Sequence, residues 1–119
     1  MMTPNENASH AFHVYEVAKE LARTSRPLIE RIARMDRSLA DQMRRAMSSV
    51  ILNLREGNRR AGRDRLHSFR IAAGSADEIV GALDVAEVMG YLAARDLAEP
   101  LALADRVLAM LYRLTNQRR

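Results

Sequence analysis

Apolar residues recur at alternating spacings of three and four along most of the chain, the period of helices that each bury one face. The first run is Val14, Ala18, Leu21, Ser25, Leu28, Ile32 and Met35. Pro27 lies inside it and lacks an amide donor, which predicts a kink or break near Arg23–Pro27. The second run is Leu39, Met43, Ala46, Met47, Val50, Ile51, Leu54 and Gly57. Ser38 is its expected N-cap, with Asp41 in the first turn facing the positive end of the helix dipole. The third is Leu66, Phe69, Ala73, Ala76, Val80, Leu83 and Glu87, widened by Ala72, Ile79 and Ala86. The fourth is Leu97, Leu101, Ala104, Leu108 and Leu111, broadened by Val107, Met110 and Leu114. Pro100 either kinks its first turns or opens its main segment.

These runs predict helices over about 10–35, 38–58, 63–89 and 93–117, with Gly57, Gly62 and Gly90 marking ends and turns. Residues 1–9 show no periodicity and are expected to form a mobile tail. Short connections favour antiparallel neighbours, so the expected architecture is an all-α, up-down-up-down four-helix bundle in one domain. A length of 119 residues suits a single core. With 4% aromatic residues and no Trp, Ala, Leu, Ile, Val and Met must fill it.

Composition removes several chemistries. There is no Cys, hence no disulfide, thiolate metal site or cysteine nucleophile. None of His10, His13 and His67 follows a Glu by three residues, as a di-metal bundle site requires, and Asp64–His67 comes nearest. His10 and His13, with Glu16, could bind a metal adventitiously on the first helix, but a surface or tail role is the expectation. Ser48, Ser49 and Ser68 have no triad partner suggested by spacing, and Gly57 and Gly62 lack the Lys-Ser/Thr of a phosphate-binding loop. The chain therefore reads as non-enzymatic, with no catalytic residue, metal or cofactor. No apolar run approaches the roughly 20 residues of a membrane span. The start lacks the basic and apolar regions of a secretory signal, and a cytoplasmic location is the expectation.

Charge is concentrated rather than spread. The net charge is +4, and between Arg55 and Arg70 six arginines face only Glu56 and Asp64, a local excess equal to that of the whole chain. Arg55, Arg59, Arg60, Arg63, Arg65 and Arg70 thus form either a solvated cluster or an electropositive patch suited to phosphates. No aromatic residue lies in the turn itself, so contact with nucleic acid would be directed at the backbone rather than at bases.

Two further patterns lie beside the core seams. Gln42, Arg45, Ser49, Asn53 and Glu56 make a polar stripe on the second helix, spaced 3, 4, 4 and 3. It reads as a solvated face or as a polar network in a subunit interface. Gly74 and Gly81 share one face of the third helix, where glycine costs about 0.5–1 kcal/mol relative to Ala, and so point to close approach between helices or between subunits. Asp77, Glu78 and Asp84 would then meet Arg44 or Arg45, or remain surface charges.

The stretch QMRRAMSSVILNLREGNRR followed by FRIAAGSADE resembles the bacterial four-helix-bundle family first noticed as proteins encoded in 23S rRNA intervening sequences. Gln42, Arg44, Arg45, Ala46, Asn53, Glu56 and Gly57 stand at that family's motif positions, as do Phe69, Ile71, Ala72, Gly74 and Ser75. Met89-Gly90-Tyr91 matches its Leu-Gly-Tyr. The family's proline in the second helix is replaced here by Leu52 or its neighbour, Leu54-Arg55 replaces Ile-Ala, and the turn is richer in arginine. The resemblance implies a compact antiparallel bundle that assembles into a ring-like homo-oligomer, often a pentamer. The chain also looks like the accessory protein of diversity-generating retroelements, which implies RNA or DNA and a protein as partners. Two roles compete: nucleic-acid binding through the arginines, and a protein-interaction scaffold on which the arginines meet an acidic partner.

Overall fold

A computed structural model describes residues 2–116. They form four α-helices and no strand: α1 (Pro4–Ala33), α2 (Arg37–Arg59), α3 (Gly62–Val88) and α4 (Ala94–Thr115). The long dimension is 46 Å, which 30 residues of α1 span at about 1.5 Å each. Each helix packs against two others, α1 on α2 and α4, and α3 on α2 and α4, with α2–α3 the most extensive contact.

α1 begins six residues before the start near residue 10 that the sequence predicts. Thr3 Oγ1 accepts from the Glu6 amide at 3.1 Å and Pro4 occupies the first turn, so the polar residues read as a tail are a capped helix start. The helix runs unbroken through Pro27. Proline denies a hydrogen bond to the Arg23 carbonyl, but packing of Leu21, Leu28, Ile29 and Ile32 on the core holds the segment helical. Ser25 is fully buried two residues earlier, and its hydroxyl has no partner. Because an unmatched buried hydroxyl costs about 1–3 kcal/mol, Ser25→Ala is expected to raise the thermal midpoint; a fall on calorimetry would show that the hydroxyl is satisfied in solution.

At the next junction the cap of α2 is Asp36, not Ser38. Its Oδ1 accepts from the Leu39 amide at 3.0 Å, and Asp41, one turn in, pairs with Arg44 at 2.9 Å instead of serving the helix start. The Tyr91 hydroxyl donates to Asp36 Oδ2 at 3.1 Å, tying the α3–α4 loop to this cap. Burial, and then that bond, raise the Tyr91 pKa above its ordinary value. Gly90 has φ +78°, a left-handed turn that only glycine adopts without strain, and it ends α3 as expected. In α4, Asp96 Oδ2 accepts from the Ala93 amide at 3.0 Å and pairs with Arg31 of α1 at 3.3 Å. Those two contacts, the amide first, hold its carboxyl below its ordinary value. Pro100 is buried well inside this helix, not at its start, and Gln117 lies outside the described residues.

The core seams of α1 and α2 are those the spacing predicts, except that Met35 is exposed and Ile51 half-buried. In α3 the buried line is Phe69, Ala72, Ala76, Ile79, Leu83 and Ala86; in α4 it is Leu97, Pro100, Ala104, Val107, Leu111 and Leu114. Ala73, Val80, Leu101 and Leu108 flank these lines, half-buried, and Glu87 is exposed. Both helices are apolar over a wide arc, and one-residue rotations of the stripe fit the spacing equally well.

Candidate functional site

The arginine cluster lies at the end of the bundle where α1 begins, α2 ends and α3 starts. Gly62 opens α3 with φ +61°, which lets the chain reverse within two residues of Arg59. Arg55 and Arg59 are four apart on α2, and Arg63, His67 and Arg70 share one face of α3; all five are exposed. Arg55, Arg59, Arg63 and Arg70 have no carboxylate or hydrogen-bond partner among the described residues.

The other two arginines are differently placed. Arg60 is exposed but paired, its Nε 2.9 Å from Glu56 and its Nη1 3.9 Å from Asp64. Such surface pairs contribute only about 0–1 kcal/mol and yield readily to a better anion. Arg65 is held inside the turn. It donates to the Gly57 carbonyl at 2.8 Å and to Asn7 Oδ1 at 2.6 Å, and its guanidinium lies 4.7 Å from the centroid of the Phe69 ring. Burial lowers its pKa from the ordinary value. Arg65 is therefore a structural brace joining α1, α2 and α3, not a free cation.

The same brace explains Gly57. The residue is buried, and a Cβ there would meet Phe69, within 2.6 Å of Cδ1 and closer still to Cε1. Gly57 is thus where α2 lets the Phe69 ring lie against its backbone, and it is not the helix end that its residue type suggests. The helix continues two residues further, to Arg59.

The polar stripe of α2 divides. Ser75 of α3 donates to Ser49 Oγ at 2.8 Å, and the Asn53 amide donates to Ser49 O and Oγ at 2.9 and 3.3 Å, a small network between α2 and α3. Gln42 and Arg45 stay outside it, and Glu56 turns to Arg60. Arg45, Ser48, Ser49, Leu52 and Asn53 border a shallow open hollow of about 480 Å³. Arg44 and Arg45 do not meet Asp77, Glu78 or Asp84 among the described residues, where Arg44 is taken by Asp41. Gly74 and Gly81 have nothing within 4 Å of an added Cβ. Close approach between helices of one chain is therefore not their role.

Residues outside the sequence motifs also converge here. Asn58 donates to the Ala11 carbonyl at 3.5 Å, and Asn7 braces Arg65, so the first turns of α1 are fastened to the arginine turn. Phe12 comes with them, 62% exposed. The sequence signal for this is the Thr3-Pro4 helix start, which extends α1 back over these positions. Among the described residues no group of three or more His, Asp or Glu side chains is placed to hold a metal ion, and no helix is long and apolar enough to cross a membrane. His10 donates to the Met110 carbonyl (3.2 Å) when its Nε2 carries the proton, and Arg106 donates to His13 (3.3 Å), so both histidines serve the α1–α4 contact.

Comparison of the chain with curated proteins and with solved structures gives no match. The family model of the 23S rRNA-intervening sequence protein matches residues 10–113, which takes in nearly all of the four helices and the whole arginine turn, and the chain belongs to that family.

Proposed function

We propose that this chain is a non-catalytic bundle that associates with copies of itself and binds RNA or DNA through the α2–α3 turn. The observation that carries the reading is the exposure of Arg55, Arg59, Arg63 and Arg70 without carboxylate partners among the described residues, on neighbouring helix ends. A field of this kind recruits polyanions, and phosphate contacts would make binding salt-dependent and largely indifferent to sequence. Arg60 joins the surface after exchanging Glu56 for phosphate, and Arg65 positions it.

The cross-helix bonds support an antiparallel up-down-up-down order, since partners on α1 and α4 run in opposite directions: His10 with Met110, Thr24 with Glu99, Arg31 with Asp96. Self-association is favoured by a second seam on α3. Ile71, Gly74, Glu78, Gly81, Val85 and Val88 recur at 3, 4, 3, 4, 3 on its outer side, with Val88 exposed by 82%. The family resemblance favours a ring, with five copies as the expected number, which would repeat the arginine patch and add weak contacts through effective concentration.

Gly81→Leu tests the assembly cleanly. The substitution meets open space in one chain and removes a helix-interior glycine worth about 0.8–1 kcal/mol against Ala. The subunit should keep or gain thermal stability while the native mass falls towards that of one chain. An unchanged mass would take Gly81 out of the interface.

Binding itself is tested by titrating a generic RNA with nuclease-treated protein at increasing salt. Tight binding at low salt that weakens steadily supports the reading. No binding, together with retention of an acidic protein that survives nuclease, would replace it with the scaffold role.

A further inference from the structure

We infer that the nucleic acid bound at this turn is single-stranded, with one base stacked on Phe12; the inference rests on the function proposed above. The sequence places no aromatic residue in the turn, but the fold brings one there. Because α1 starts at Pro4 and is fastened to the turn by Asn7–Arg65 and Asn58–Ala11, Phe12 lines an open hollow of about 600 Å³ together with Met2, Ala8, Ala61, Arg60 and Arg65. That size lies within the usual range of ligand pockets. The ring is 62% exposed although Ala11 and Val14 beside it are buried in the core. An isolated exposed ring needs no explanation, but this one sits in a concave, largely apolar wall directly beside cations.

Charge decides the occupant. The hollow shares Arg60 with a second depression of about 320 Å³ lined by Arg55, Glu56 and Arg59. Arg60, paired with Glu56, thus links the free guanidiniums of Arg55 and Arg59 to a wall that carries the Phe12 ring and small apolar neighbours. That arrangement fits a chain with phosphates on one edge and flat, π-faced bases on the other, the combination by which single strands are held. A duplex keeps its bases stacked inside and offers Phe12 nothing. The binding is tolerant of sequence, because every base has a π-face.

The test uses the full chain, a labelled single-stranded 20-mer RNA of mixed sequence, the same strand as a duplex, and an abasic strand of equal length. Phe12→Ala is expected to weaken the single strand roughly 5- to 150-fold, the loss of one base–aromatic stack, and to leave the duplex and the salt slope unchanged. Phe12→Trp is expected to retain affinity. As the natural chain has no Trp, the fluorescence of this variant reports the site directly and should be quenched by the base-containing strand but not by the abasic one. Equal single-strand affinity for wild type and Phe12→Ala, with no quenching, overturns the inference while leaving salt-dependent phosphate binding intact. A change of native mass in Phe12→Ala with no change in strand affinity assigns the ring to a contact between copies and overturns it too. Absence of any binding by wild type removes both this inference and the reading beneath it.

Discussion

Replacing Arg55, Arg59, Arg63 and Arg70 together by Ala is expected to remove most of the affinity for RNA at moderate salt. It should also lower the slope of log affinity against log salt by about 0.7 for each single-strand phosphate that no longer meets a guanidinium. The four side chains are exposed and hold no partner among the described residues, so the variant should fold with its thermal midpoint close to that of wild type. That separation matters, because Arg65→Ala is expected to do the opposite. Its loss would strip Gly57 O and Asn7 of a donor and uncover Phe69, lowering stability first and binding only through it. Filter binding beside a thermal melt distinguishes the two. A quadruple variant that binds as well as wild type would show that phosphates do not sit on these arginines.

Gly57→Ala is expected to be the most destabilising conservative change in the chain. The new methyl would drive into the edge of the Phe69 ring, which is 1% exposed and braced by Arg65 on its face. Overpacking of this sort costs typically about 1–3 kcal/mol, and for a domain this size each kcal/mol lowers the midpoint on the order of 4 °C. Pairing the change with Phe69→Leu should recover part of the loss, because the substitution removes the ring atoms in the way. Calorimetry of the single and double variants checks it, and additive losses would contradict the account. Gly57→Ala alone leaves Arg55, Arg59 and Arg63 in place, so binding per folded molecule should change little.

The four helices are legible from the 3–4 spacing because small and aliphatic residues leave no doubt about period. Phase is harder to read. In α3 both Phe69-Ala73-Ala76-Val80-Leu83 and Phe69-Ala72-Ala76-Ile79-Leu83 are apolar, and only packing against α2 and α4 selects the second. The helix start at Pro4 escapes the periodicity because its first turn, Pro-Asn-Glu-Asn, is polar, and its signal is a cap rather than a seam. That hidden start carries Asn7, whose bond to Arg65 fastens the first turns of α1, and Phe12 with them, to the arginine turn. Ser38 looks like a cap by type, yet Asp36 has the geometry, and one more turn of periodicity would not show it. Of the arginines, the sequence marks the cluster but not which member is held inside. Arg65 is singled out by the Gly57 carbonyl, by Phe69 one turn on and by Asn7, 58 residues away. Gly57 reads as a helix end and Gly81 as a helix-interior glycine, and only the fold shows the first pressed on a ring and the second facing open space.

In the function proposed above, copies of this chain assemble and hold nucleic acid together. Native mass measurement of nuclease-treated protein, with and without an added single-stranded RNA, tests it most directly. The expected result is a multiple of 13.4 kDa that gains the mass of RNA and loses it again at high salt. A single species at 13.4 kDa that takes up no RNA at low salt would contradict it.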